Sequence, residues 1–320
     1  GVYETGGQEE LVCETVELTE SGEGEVVVKH DAVGVNFIDT YHRSGLYPLE
    51  SLPHTIGMEG AGVVESVGKG VTEFESGDRI AYAGGPPGAY AERRTIAAEH
   101  LVALPDDIHS RQAAGVMLKG MTVEYLVRRT FEVKAGMDVL WHAAAGGVGL
   151  LACQWLSHIG ANVIGTVSTE EKAARARAAG CNFPVNYTEE DFAERVDEIT
   201  GGVGVDVVYD AVGKATFLDS LDCLCRRGMM VAFGNASGAP EPLDPLELSR
   251  KGSLYLTRPS LMDYIAEREE LLESAKALFE FVREGGVEIQ VNQTWPLEEA
   301  AEAHRALEGR ETTGSTLLLP

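Results

Sequence analysis

The sequence predicts an α/β fold: a doubly wound, parallel six-stranded sheet inserted in a β-rich region. Three observations carry this. From Val139 onward, short β-rich runs alternate with helical ones. A turn of small residues, Ala143-x-x-Gly146-x-x-Gly149, joins the first run to the first helix. Before residue 121 the texture differs, with β-branched segments broken by Gly and Pro. Strands alternating with helical crossovers make a parallel sheet, whereas short strands punctuated by turn residues make a compact antiparallel one.

At 320 residues, the chain exceeds what one core usually serves, so two domains are expected. The segments "EVVVKHDAVGVNF", "GAGVVESVGKGV" and "DRIAYAGGPPGAYAERRTI" supply the antiparallel region. The alternating unit then runs VLWHAA, GVGLLACQWLSHIG; NVIGTVS, TEEKAARARAAG; FPVNY, EEDFAERVDEITG; VDVVYDAV, TFLDSLDCLCRRG; MMVAFGN; SLYLTR. Gly160, Gly180, Gly201 and Gly228 stand where its helices should end. Cys223 and Cys225 fall on the fourth helical run and read as core. The tail, with two helical stretches and "STLLLP", is too small for its own core and should return to the first domain. The expected boundaries are 1–120 plus 260–320 for the β-rich domain and 121–259 for the parallel one.

The composition narrows the function. A formal net charge of −25, from 26 basic and 51 acidic residues, opposes nucleic acid and anionic membranes, which rely on cationic contacts. A salt-rich cytoplasm accounts for such a surface, because at molar salt the Debye length falls to about 3 Å and self-repulsion fades. No apolar run approaches membrane length, the start "GVYETGGQEE" lacks a signal core, and the five cysteines are scattered. The expectation is a soluble, cytoplasmic protein without a disulfide framework.

The Ala143–Gly149 turn is a variant of the Rossmann dinucleotide fingerprint. Small residues let a pyrophosphate approach the backbone N–H groups at a helix N-terminus, where orphan donors and the dipole favour an anion. The end of the second strand selects the dinucleotide. An NAD site places an acid there for the ribose hydroxyls. This strand ends "GTVST", with Ser168 and Thr169, while Glu170 and Glu171 belong to the next helix. Lys172 follows and suits a 2′-phosphate, so NADPH is the expected cofactor.

Several longer stretches, "VGVNFIDTYHRSGLYP", "HAAAGGVGL", "VVYDAVG", "RRGMMVAFGNASG" and "KGSLYLTRPSL", resemble the quinone oxidoreductase family of zinc-free medium-chain dehydrogenases/reductases, the zeta-crystallin relatives. The resemblance implies a GroES-like β-rich catalytic domain interrupted by a Rossmann domain, with the cofactor in the cleft between them. It also implies NADPH-dependent quinone reduction, a homodimer, and a first strand beginning a few residues upstream of this N-terminus. Zinc-dependent relatives carry a metal-binding Cys ahead of Gly-His-Glu, where this chain has Asn36 and, in "GMEG", Met58. Neither is a normal zinc ligand, so no metal is expected.

Position by position, the resemblance puts Asn36, Phe37, Ile38 and Tyr41 beside the nicotinamide and Thr122 and Tyr125 at the domain junction. Gly147 and Val148, within the Ala143–Gly146–Gly149 turn, cradle the pyrophosphate. Ser168, Lys172 and Tyr187 surround the 2′-phosphate, Phe233, Gly234 and Asn235 flank the nicotinamide ribose, and Arg310 reaches toward the phosphate end. For chemistry, the expected substrate wall is Asn36, Tyr41, Tyr47 and Arg258, with the Asn36 amide or the Tyr41 hydroxyl donating to the developing oxyanion. Asp39 reads as a backbone-bonding turn residue rather than half of a carboxylate pair with Glu59. His142 reads as packed rather than as a proton donor. The acceptor is a quinone or a similar conjugated carbonyl. The alternatives are a 2-alkenal or enoyl reductase of the same superfamily and a non-enzymatic NADPH-binding, crystallin-like or RNA-binding protein.

Overall fold

The computed structural model describes residues 1–320 and divides into two compact units, Gly1–Met121 with Tyr264–Val282 and Ile289–Pro320, and Thr122–Asp263 with Arg283–Glu288. The first unit begins with β1 (Glu25–Val35) and α1 (Phe37–Ser44), followed by β2 (Glu59–Val67), β3 (Arg79–Ala83), β4 (Arg93–Ala97), β5 (Val102–Ala103) and most of α2 (Ser110–Tyr125), whose last turn, from Thr122, belongs to the second unit. The second contains β6 (Asp138–Trp141), α3 (Gly147–Ile159), β7 (Asn162–Val167), α4 (Glu170–Ala178), β8 (Phe183–Asn186) and α5 (Phe192–Thr200). It continues through β9 (Val205–Asp210), α6 (Phe217–Asp222), β10 (Leu224–Ala232), α7 (Pro245–Arg250) and β11 (Tyr255–Thr257). The chain then forms α8 (Leu261–Tyr264), α9 (Arg268–Arg283), β12 (Val291–Pro296), α10 (Ala300–Glu308) and β13 (Ser315–Leu319).

In the first unit, the strands join in the order β12-β13-β1-β2-β3-β5, with β4 also paired to β1. β1 is central because its β-branched run supports three antiparallel partners, with Val33 opposite Leu318 of β13 and Gly60 of β2, and Val27 opposite Thr95 of β4. The tail strand therefore belongs to this sheet. Its core gathers Val26, Val28, Val33, Ile56, Ile80, Tyr82, Leu101 and Leu318.

The second unit holds the six-stranded sheet, every ladder parallel, in the order β11-β10-β9-β6-β7-β8. Numbered along its own chain this is 3-2-1-4-5-6, the classic doubly wound order, with the reversal between β6 and β9. Strands buried on both faces need continuous apolar runs, which "VLW", "NVIGTV" and "VDVVY" provide. Gly160 and Gly201 cap α3 and α5 in the left-handed region, and Gly180 follows α4 with φ 99°.

One local expectation is corrected. The helix over "TFLDSLDCLCRRG" stops at Asp222, and β10 starts at Leu224. Cys223 is thus a buried helix C-cap, Cys225 a half-buried strand residue, and Gly228 a strand residue rather than a helix end. The register break between Leu224 and Met229, with Arg227 at φ 63°, explains why "CRRG" does not read as a strand.

Candidate active site

In a parallel sheet all carboxyl ends lie along one edge, and here that edge collects the residues singled out in the second unit. From β8 to β11 the order is Tyr187; Ser168 and Lys172; the Ala143–Gly149 turn; the β9 end at Asp210; Phe233, Gly234 and Asn235; and Arg258. With strands about 4.8 Å apart, the turn at β6 has two strands on its phosphate-selecting side and three on the other. An extended dinucleotide crosses such an edge at the switch point.

The turn is built for close approach. Ala143 adopts φ 54°, and a Cβ on Gly149 would lie 2.3 Å from the Ala143 carbonyl oxygen, so α3 packs against the turn only because residue 149 is glycine. α3 begins after Gly146 with no side-chain cap and no acid in its first turn. Its first intrahelical bond is Leu150 N–H to Gly146 C=O, so the N–H groups of Gly147, Val148 and Gly149 precede the helical ladder. These groups fit a pyrophosphate.

At the β7 end, Thr169 accepts from Lys172 N at 3.2 Å and caps α4, which places the half-buried Lys172 one turn from Ser168. Glu170 and Glu171 pair with Arg177 and Arg175 on the same helix, so neither substitutes for a ribose-binding acid. Tyr187 is 40% exposed just beyond β8.

On the other side, Asp210 is fully buried and accepts from Val212 N, Gly213 N and the Thr216 hydroxyl, fixing the turn after β9. The β10 loop is stitched to that turn through Ala236 N to Ala211 O and Ser237 N to Val212 O. Phe233 lies 5.6 Å from the Trp141 ring, and Trp141 lies 4.7 Å from Tyr209. Arg258 donates to the Ala232 carbonyl at 3.1 Å. Thr122 and Tyr125 are buried in α2. His142 is buried between Thr166 Oγ1 at 3.0 Å and Ser220 Oγ at 2.8 Å, and burial pushes its pKa down, so it is a packed neutral imidazole.

The first unit carries the second group of candidates. Asn36 is the N-cap of α1, and Phe37, Ile38 and Tyr41 occupy its first turns. Tyr41 sits 6.5 Å from Phe37 and 5.2 Å from Tyr47, ring to ring, and the Tyr47 N–H donates to the Tyr41 carbonyl at 3.1 Å. Arg310 follows α10 at φ 60° on an exposed turn of this unit.

Beneath Asn36 lies a polar network that motif inspection missed. Its backbone N–H donates to Asp39 Oδ2 at 2.8 Å and its Nδ2 to Glu59 Oε2 at 2.8 Å. Asp39 is thus the backbone-bonding residue expected of it. Burial is the main cause that raises the Asp39 pKa to about 7, against the hydrogen bonds from Asn36 and Tyr90. Glu59 takes two further donors, Leu118 N at 2.8 Å and Lys119 Nζ at 3.3 Å. The signal for Glu59 in the sequence was its place in "GMEG". No group of three or more His, Cys, Asp or Glu side chains is arranged to hold a metal ion.

Comparison with known proteins places this geometry. Residues 22–106 match the alcohol dehydrogenase GroES-like domain model, and residues 147–278 match the zinc-binding dehydrogenase model. The chain is 52% identical over 315 residues to a quinone oxidoreductase of Pseudomonas aeruginosa, covering 98% of this chain and 97% of that one. It is 49% identical over 328 residues to a 2-haloacrylate reductase of a Burkholderia species, covering 100% and 98%. Among solved structures, Escherichia coli quinone oxidoreductase complexed with NADPH superposes with a TM-score of 0.98 at 50% identity, covering 100% of this chain and 98% of that one. The chain belongs to the quinone oxidoreductase family of the medium-chain dehydrogenases/reductases.

Proposed function

We propose that this protein oxidises NADPH and reduces quinones by hydride transfer without a catalytic metal. The observation that carries this is Asn36, a buried amide bonded to a carboxylate beside a wall of aromatic rings, at the position where zinc relatives carry a metal-binding Cys. NADPH, when bound, supplies the hydride from C4 of its nicotinamide.

The residues of this chain bind and orient. Backbone N–H groups of Gly147, Val148 and Gly149 receive the pyrophosphate, which Ala143 and Gly146 leave open to approach. Ser168, Lys172 and Tyr187 receive the 2′-phosphate, with Arg310 toward the phosphate end. Phe233, Gly234 and Asn235 flank the nicotinamide ribose. Thr122, Tyr125, Asn36, Phe37, Ile38 and Tyr41 hold the nicotinamide. Tyr41 and Tyr47 align the quinone ring, Arg258 steadies it, and Asn36 Nδ2 or the Tyr41 hydroxyl donates to the oxygen that gains charge. Water supplies the final proton.

A conjugated-acid or alkenal acceptor is the second reading, favoured by the likeness to 2-haloacrylate reductase. Steady-state NADPH oxidation against a panel of quinones, 2-alkenals and 2-haloacrylates decides. The highest kcat/KM is expected with quinones. Turnover confined to alkenals or haloacrylates moves the protein to the second reading, and no turnover with any acceptor overturns both.

The proposed assembly is a homodimer through β11. This three-residue strand pairs only with β10 and exposes Tyr255 and Leu256, an edge that pairing with a second copy would cover. The proposed setting is the cytoplasm: all five cysteines are free, as a reducing compartment keeps them. No helix is long and apolar enough to cross a membrane.

A further inference from the structure

We propose that Glu59 is a positioning residue for the reaction, holding the Asn36 amide with one N–H aimed at the acceptor oxygen. The inference rests on the quinone reductase reading for its kinetic consequence, but not for its geometry.

Glu59 has no solvent exposure, and Asn36 and Lys119 are each only 5% exposed. A buried carboxylate is costly unless it is paired and hydrogen-bonded. Here Lys119 Nζ neutralises Oε2 while Leu118 N donates to Oε1, leaving Oε2 also to accept from Asn36 Nδ2. The bond from Asn36 is charge-assisted and therefore strong and directional. It also settles which way the amide faces, since a flipped amide would set its oxygen against Glu59 Oε2. At the same time Asn36 and Asp39 close a capping box at the start of α1, so the backbone under the amide is held as well. One Nδ2 hydrogen is committed to Glu59, and the other is left to donate.

The fold makes room for this carboxylate at a cost in sequence freedom. A Cβ on Gly34, in β1, would lie 2.1 Å from Glu59 Oε2 and 2.4 Å from the Ala114 carbonyl oxygen. Gly34 in "VGVNF" and Glu59 in "GMEG" are thus two halves of one device, joined by neighbouring strands β1 and β2. Glu59 takes no part in bond making. It acts through Asn36, whose misplacement by even about 1 Å costs on the order of 10²-fold in rate.

The test combines kinetics with a readout that needs no turnover. In Glu59→Gln, kcat for quinone reduction should fall by roughly 10- to 100-fold with little change in quinone KM. The ¹⁵N-resolved Asn36 side-chain amide protons, one shifted downfield by the carboxylate in the wild type, should lose that shift. On an Asn36→Ala background, Glu59→Gln should add almost nothing, because the coupling runs through Asn36. Glu59→Gln/Lys119→Met removes both buried charges and controls for folding. The deficit persists in it if Glu59 acts on Asn36, and disappears if the ion pair only supports the fold. Unchanged Asn36 amide resonances, additive kinetic losses, or full rescue by the double variant would each overturn the proposal. If the wild type turns over no quinone, the functional reading fails, while the amide resonances still decide whether Glu59 holds Asn36.

Discussion

Tyr90 donates its hydroxyl hydrogen to Asp39 Oδ2 at 3.0 Å, and this bond ends a chain of fixed direction. Arg43 can only donate, so Nδ1 of His304, 3.0 Å away, accepts; Nε2–H of His304 then donates to the Tyr90 oxygen at 2.9 Å. Arg43 is itself held by a bidentate pair with Glu308. Through His304 of α10, the chain ties Arg43 at the end of α1 to the Asp39 carboxyl at its start.

The pH dependence of stability follows from the burial of Asp39 and His304 in this chain and of His30 outside it. The Asp39 pKa rises from 3.8 to about 7 on folding, chiefly through burial, so between those values the folded state binds the extra proton and Asp39 makes stability fall as pH rises. The ionisation penalty reaches on the order of 4 kcal/mol above pH 7. His304 and His30 act in the opposite sense, because burial lowers them to about 3 and about 4, and acidification below about 6.5 costs stability through both. Asp39→Asn removes only the first contribution. Urea midpoints from pH 5 to 8 should show the variant gaining on the wild type as pH rises; a constant difference would refute the assignment.

Cofactor preference should rest on Lys172. Lys172→Ala should weaken NADPH binding by about 1 to 3 kcal/mol, the scale of a hydrogen bond to a charged group, and leave NADH nearly untouched. Titration of both dinucleotides checks this, and equal losses would remove the 2′-phosphate from the β7 end.

The glycine turn should fail when it gains bulk. Gly149→Val sets a branched side chain against a carbonyl already 2.3 Å from the Cβ position, so α3 must leave the turn. Loss of dinucleotide affinity is expected together with a lower Tm, whereas Gly147→Val should lose affinity with the fold retained. Wild-type affinity in both variants would show that the turn holds no pyrophosphate.

Activity should survive exhaustive chelation, because Asn36 and Met58, which stand where zinc relatives carry their motif, are not normal zinc ligands. Stoichiometric zinc by elemental analysis, with activity lost on its removal, would contradict this.

Salt should stabilise. With 51 acidic against 26 basic residues, self-repulsion grows as the Debye length lengthens from about 3 Å at 1 M to about 10 Å at 0.1 M. The proposed homodimer would bring two such chains together, so dilution of chloride at fixed pH should yield inactive monomers before unfolded chains. Sedimentation, activity and Tm that all stay flat across this range would rule out salt adaptation.

By itself the sequence determined whatever depends on local period and backbone clearance: the strand–turn–helix at Ala143–Gly149, the missing acid after Val167, the apolar strands of a parallel sheet, and the change of texture at the β-rich region. These are legible because side-chain alternation and glycine clearance are properties of neighbouring residues. Where local preference was ambiguous, as at "LCRRG", the pairing of Leu224 with Val205 overrode it and turned an expected helix end into a strand with a bulge. Tertiary structure alone decided the support of Asn36. Glu59 and Lys119 lie 23 and 60 positions apart from their partners Asn36 and Glu59, and Tyr90 and His304 are 214 apart. Hydrogen bonds between buried polar groups are strong and specific because water is excluded, and which groups are excluded from water together is settled only when β1, β2, α2 and α10 have packed.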